Sequence, residues 1–340
     1  MTYHITEKLD LAAIQSSYRL TSEIMAQKES KEKELAAILT GQSDKKLVIL
    51  GPCSADNEEA VLDYAKQLSE LQKVVANKLL LVMRVYTAKP RTMGTGYKGL
   101  MHQPDPTKPP SLSEGLLATR RLHSTIISRF GLLTADELLY PSYFSLTQDL
   151  VSYYAIGARS VENQEHRLVA SSLNQPVGMK NPTSGQLSIL LHAIYAAKHP
   201  HHFISGMSSL KSSGNPLAHA ILRGYRDNDG VSHSNYQVDN IQQLLEGYVS
   251  LGLSHPSLII DVNHDNSGKN HNRQATIIAE VLKSLHEQQE IKEAVKGFML
   301  ESYLVEGRQD TPEIYGKSLT DPCMGWQETE DVITQLAERI

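Results

Sequence analysis

Cysteine is scarce in this chain: Cys53 and Cys323 are the only two among 340 residues. Two thiols cannot build a disulfide framework, so the expected setting is a reducing one, the cytoplasm. Long apolar runs are missing as well. Leu79–Met83 is among the longest unbroken aliphatic stretches, far short of the ~20 residues that cross a bilayer, and no membrane partner is expected. The segment from Met1 to Leu9 lacks the basic-then-apolar pattern of a secretion signal. There is no long basic stripe and the formal net charge is −5, which argues against nucleic acid as a partner. No stretch has the composition of an interdomain linker, and no internal repeat is visible.

What the chain does have is a regular alternation of short apolar runs and amphipathic segments. Leu47–Leu50, Leu79–Tyr86, Leu132–Ala135, Tyr153–Arg159, Pro176–Lys180, His202–Ile204, Ala218–Arg223, Leu258–Val262 and Gly297–Glu301 read as strands. Val61, Ala65, Leu68 and Leu71 recur at helical spacing, so residues 57–74 read as a helix, with Asp56 and Glu59 at capping-box distance. Nine strand candidates are one too many for an eight-stranded barrel. His202–Ile204 is assigned to an inserted hairpin, because Ala218–Arg223 and not His202–Ile204 ends in a ligand-type cation. The expected fold is therefore α/β, a single (β/α)8 TIM barrel over residues 46–340, preceded by a helical extension over 1–45. Leu20, Ile24 and Met25 are apolar anchors of that extension, and a subunit interface is a natural place to bury them.

Basic residues mark the ends of these runs. Arg84, Lys89, Arg91, Arg159, Lys180 and Arg223 each lie at or just past a strand end, and in one barrel all six would meet at the carboxyl rim. Cations gathered at one end of an acidic protein point to a small anion, a phosphate or carboxylate. The loop 87–112, with Lys89-Pro90-Arg91-Thr92 and the Pro104–Pro110 run, leaves little room for regular structure, and its cations favour a functional reading. Cys53, His264, Glu301 and Asp321 offer a thiolate, an imidazole and two carboxylates, a set suited to a divalent transition ion. Their spacing alone does not separate that reading from a small buried cysteine and a core histidine. Glu137 is a general base or water-orienting group, or the partner of a rim arginine. Lys180 admits a Schiff-base role as well as an electrostatic one.

Taken in order, these motifs resemble the 3-deoxy-D-arabino-heptulosonate 7-phosphate (DAHP) synthases of the metal-dependent barrel branch. The resemblance runs from about residue 46 to 328. It is carried by Gly51-Pro52-Cys53-Ser54, Met83-Arg84-Val85-Tyr86, Lys89-Pro90-Arg91-Thr92, Gly157-Ala158-Arg159, Val177-Gly178-Met179-Lys180-Asn181 and Ile221-Leu222-Arg223-Gly224. It continues through Asp261 to His264, Glu301-Ser302 and Gly316 to Asp321. The resemblance implies condensation of phosphoenolpyruvate with erythrose 4-phosphate. Arg84, Arg159, Lys180 and Arg223, with Gly157 and Ala158, would hold the first substrate. Lys89, Pro90, Arg91 and Thr92 would face the second. Lys89, Glu137 and His264 would be catalytic, and Cys53, His264, Glu301 and Asp321 would bind a divalent transition metal ion (Mn, Fe, Zn, Co or Cu). It further implies a homodimer or homotetramer and an aromatic amino acid effector. A phosphate-binding barrel without catalysis is the alternative from another class.

Overall fold

A computed structural model describes residues 4–91, 93–205 and 208–340. Eight parallel strands close into a barrel: Lys46–Gly51 (β1), Leu79–Arg84 (β2), Leu133–Glu137 (β3), Tyr153–Ile156 (β4), Val177–Lys180 (β5), Ala218–Leu222 (β6), Leu258–Asp261 (β7) and Val295–Glu301 (β8). Each strand pairs with the next in sequence, and β8 returns to β1. His202–Ser205 pairs antiparallel with Ser208–Lys211 in a separate ribbon, so the ninth candidate is a hairpin outside the barrel, as expected.

The side chains of each strand divide by parity, as a period of two requires. Leu47, Ile49, Leu80, Val82, Leu133, Ala135, Tyr153, Ala155, Ile221, Ile259 and Met299 pack together inside the barrel. Val48, Leu50, Leu79, Leu81, Met83, Val177, Met179, Leu222 and Ile260 join the larger cluster with the surrounding helices. Continuing the inner series by two residues reaches Arg84, Glu137, Lys180, Arg223, Asp261 and Glu301. One alternation thus makes apolar layers below and a charged layer at the top.

The helix Ser22–Thr40 (α2), which follows the short helix Leu11–Ser16 (α1), closes the opposite end. Its Leu35, Ile38 and Leu39 are buried in the same inner cluster. The apolar anchors of the extension divide between packing within the chain and exposure. Leu20 is buried against Ile127 and Leu150 of the same chain with Ile24 beside it, while Met25 is 47 % exposed. The helix Glu58–Val75 (α3) is also capped differently. Asn57 rather than Asp56 is its N-cap and accepts from the Ala60 amide at 3.0 Å. Asp56 instead faces inward and accepts from Tyr303 Oη at 3.1 Å and the Leu319 amide at 3.0 Å. It thereby fastens the loop after β1 to the loop that carries Asp321.

Candidate active site

The carboxyl ends of the strands surround a cavity of about 780 Å³. Arg84, Lys89, Arg91, Arg159, Lys180 and Arg223 all line it, together with Pro90, Glu137, Gly157, Ala158, His264 and Asp321. Thr92 lies outside the described residues. The six cations therefore do share one rim.

Three of them are held by acids set just behind them. Lys180 Nζ donates to Asp261 Oδ2 at 2.8 Å. Arg223 Nη2 donates to Asp265 Oδ2 at 2.6 Å, and Asp265 Oδ1 also accepts from Arg226 Nε at 2.9 Å. Arg84 is buried with its guanidinium 4.0 Å over the Tyr86 ring, and its Nη2 donates to Glu301 Oε1 at 2.9 Å. Arg84 Nε, Arg84 Nη1 and Arg223 Nε are buried and have no hydrogen-bond partner among the described residues. Such donors are costly to leave unmet, and an anion in the cavity would meet them.

The acids respond to these cations. Burial disfavours the Asp261 carboxylate, but His264 and Lys180 outweigh it and hold its pKa well below the ordinary range. Asp321 follows the same pattern: burial opposes ionisation, while His264, Lys269 and Lys89 bring the net shift downward.

Glu137 reaches the cavity because the residue that faces its carboxylate just past the end of β4 is Gly157. A β-carbon there would lie 2.3 Å from Glu137 Oε1. Gly51 is required for a similar reason, since its β-carbon would fall 2.6 Å from the Arg84 carbonyl oxygen.

At the β1–β8 side, Cys53 Sγ and carboxylate oxygens of Glu301 and Asp321 lie within 4.8 Å of one another. His264 Nε2 is 3.6 Å from Glu301 Oε1. His264 Nδ1 lies 2.8 Å from Asp261 Oδ2 but is not aligned to donate to it. His264 has φ of 50°, a left-handed conformation uncommon outside glycine and a form of strain that clusters at functional sites. Glu301 is fixed twice over: Asn263 Nδ2 donates to its Oε2, and Gln274 bonds both its backbone amide (3.0 Å) and carbonyl (2.9 Å). Lys89 Nζ donates to the Cys53 carbonyl at 2.8 Å and lies 3.2 Å from Cys53 Sγ. Burial and then Glu301 push the Cys53 thiol upward against the pull of Lys89, a penalty that a bound cation reverses. Thiolate, imidazole and carboxylates suit a transition ion, so these residues fit a metal.

The chain matches the profile described as the DAHP synthetase I family over residues 23–334. The chain belongs to the DAHP synthetase I family. Among similar family members, the Trp-sensitive phospho-2-dehydro-3-deoxyheptonate aldolase of Enterobacter agglomerans is 40 % identical over 317 residues, covering 91 % of this chain and 88 % of that protein. The Phe-sensitive enzyme of Escherichia coli K12 is 38 % identical over 320 residues, covering 91 % and 87 %. The solved structure of the phospho-2-dehydro-3-deoxyheptonate aldolase from Francisella tularensis SCHU S4 superposes with a TM-score of 0.91 at 30 % identity, covering 99 % of this chain and 98 % of that one.

Two features of this family member escaped the reading of its sequence. Arg226 and Lys269 also line the cavity, and Asp265 gathers Arg223, Arg226 and Ser232 onto one carboxylate. Arg226 follows Arg223 by three residues, but only the short ribbon Tyr225–Arg226 with Ser232–His233 turns it toward the rim. No helix among the described residues is long and apolar enough to cross a membrane.

Proposed function

We propose that this chain condenses phosphoenolpyruvate with erythrose 4-phosphate and water to give DAHP and inorganic phosphate, the first step of the shikimate pathway to the aromatic amino acids. The observation that carries this reading is the convergence of six cations in one cavity beside the Cys53, Glu301 and Asp321 cluster. Arg84, Arg159, Lys180 and Arg223, with the backbone at Gly157 and Ala158, hold the phosphate and carboxylate of phosphoenolpyruvate. Two anionic groups gripped at once leave the plane of the enol fixed and its methylene carbon free to attack. Lys89, Pro90, Arg91 and Thr92 receive erythrose 4-phosphate, and Lys89 stands where it reaches both substrates.

The methylene carbon attacks the aldehyde carbon, and positive character develops at the enol carbon, where water adds. Glu137 orients that water and takes its proton. The former aldehyde oxygen takes a proton to become a hydroxyl. The added water oxygen becomes the ketone oxygen as the C–O bond to phosphate breaks, and phosphate departs with its charge held by the same arginines. Lys180 donates to Asp261, an arrangement that favours an electrostatic role over a Schiff base, which requires a free amine. Cys53, His264, Glu301 and Asp321 hold a divalent transition ion (Mn, Fe, Zn, Co or Cu), which when bound supplies Lewis-acid polarisation of the aldehyde. The test is phosphate release that requires both substrates, with the seven-carbon product identified by mass spectrometry. Phosphate release without the aldehyde, or none with both present, would overturn the reading.

The names of the relatives, Trp-sensitive and Phe-sensitive, support feedback control here by an aromatic amino acid. We place the working enzyme in the cytoplasm as a homodimer or homotetramer. Inhibition assays with tryptophan, phenylalanine and tyrosine, and light scattering, decide these points.

A further inference from the structure

Asp136 stands next to Glu137 on β3 and, by the parity of the strand, faces away from the barrel interior. The residue is 4 % exposed. Oδ1 accepts from the Thr87 amide at 3.0 Å and from the Glu137 amide at 2.7 Å. Oδ2 accepts from Thr87 Oγ1 at 2.6 Å. His123, fully buried on the helix Leu112–Phe130 (α4), stands behind it with Nε2 3.4 Å from Oδ2 and Nδ1 3.0 Å from Thr134 Oγ1. Thr87 in turn accepts the Met101 amide on its carbonyl at 2.9 Å, so it anchors both ends of the segment that carries Lys89, Pro90 and Arg91.

One buried carboxylate therefore ties together the backbone of two cavity-lining elements. It holds Glu137 at the end of β3 and the first residues of the loop after β2. A carboxylate accepting three donors is well satisfied in a dry site, and its bonds are of the charge-assisted kind. Such a group fixes distance between its two attachments more tightly than separate packing of each would.

We propose that Asp136 is a positioning residue for the condensation, setting Glu137 and the Lys89–Arg91 segment in register with one another, with His123 as its support. The proposal rests on the reading above in which that segment receives erythrose 4-phosphate. Arg159, Lys180 and Arg223 come from other strands, and Arg84 lies within β2 ahead of Thr87, held by Glu301, so most of the phosphoenolpyruvate grip stands apart from Asp136.

The test compares wild type with Asp136→Ala, Asp136→Asn and Thr87→Val. Asp136→Ala is expected to lower kcat by about 10-fold or more and to raise KM for erythrose 4-phosphate about 5-fold, with KM for phosphoenolpyruvate within about 2-fold. Asp136→Asn keeps an oxygen for the two amides and should recover most of the loss. Thr87→Val, which removes one bond, should raise KM for erythrose 4-phosphate by about 3-fold and carries the test if Asp136→Ala does not fold. Hydrogen exchange supplies a second readout: the Thr87 and Glu137 amides should exchange at least about 10-fold faster in Asp136→Ala or, failing that, the Thr87 amide in Thr87→Val. Unchanged constants in folded variants, an equal rise in KM for both substrates, or unchanged exchange at both amides would overturn the proposal. A wild-type enzyme with no condensation activity would instead overturn the function proposed above, and the exchange arm would still decide whether Asp136 holds the two segments.

Discussion

Glu137 and Gly157 occupy one space: the glutamate carboxylate oxygen lies 2.3 Å from the point where residue 157 would place a β-carbon. A methyl group there cannot coexist with the carboxylate in its present position. Gly157→Ala should therefore push Glu137 out of the cavity, with kcat falling about 10-fold or more while the fold survives, because the displaced group is at the rim and not in the core. Steady-state kinetics with circular dichroism as the folding control checks this. A fully active variant would remove Glu137 from the chemistry.

Lys89 should count for more than one charge. It donates to Cys53 and lines the substrate cavity, so its loss affects both sides of the site. Lys89→Ala should lower kcat/KM by on the order of 10²-fold, with turnover reduced as well as binding. A raised KM for a single substrate with normal kcat would make Lys89 a simple anchor.

Chelation should abolish condensation, and a divalent transition ion should restore it, because a thiolate-containing donor set is poorly suited to calcium or magnesium. Elemental analysis before and after dialysis against EDTA, paired with the phosphate-release assay, measures this. Full turnover in protein shown to be free of metal is the outcome that sinks it.

Asp56 gives a pH signature of known sign. Burial raises its pKa to about 6 despite bonds from Leu319 and Tyr303. A group with a raised folded pKa favours the fold most below the unfolded value near 3.8, and that contribution is lost as pH climbs through about 6. The shift corresponds to on the order of 3 kcal/mol. Asp56→Asn, neutral throughout, should thus gain stability relative to wild type as pH rises from 4 to 7 (~3 units). Thermal melts across that window test it, and a constant offset between the two proteins would exclude Asp56 as the titrating group.

Removal of residues 1–30 should leave condensation measurable, because Leu35, Ile38 and Leu39, which close the barrel, remain in place. Oligomer size or aromatic-amino-acid inhibition should change instead. A folded truncation without activity would make this segment part of the catalytic rim, and unchanged assembly and inhibition would reduce it to surface packing.

The barrel was legible in the sequence because its strands are short, apolar and separated by helical segments, and because six of them run into a charged residue that cannot continue the core. The cation set followed from the same signal. What the sequence concealed were groups whose role depends on tertiary approach. Asp265 lies in the short turn after β7 and Arg226 on the ribbon after β6, and only their pairing across the fold shows that both serve the rim. Asp56 has the spacing of a helix cap, but Asn57 next to it takes that place, and Tyr303, far along the chain, claims the aspartate. His264 stood out as a ligand type, whereas its left-handed backbone could not be read from its neighbours.

The parity that divides core from chemistry also limits how such a chain can change its length. A residue inserted into a strand before its last inward position would turn Arg84, Lys180 or Asp261 toward the helices and bring an aliphatic side chain into the cavity. The molecule already contains one such extra residue. Leu258 pairs with Val295 and Ile259 with Gly297, so Lys296 is absorbed as a bulge at the foot of β8. Glu301 keeps its inward phase because that surplus is taken up at Lys296, at the foot of the strand. Tolerated insertions and deletions should accordingly gather in the loops beyond the rim or at such bulges, and a strand that gains a residue will keep its fold and lose its charge pattern.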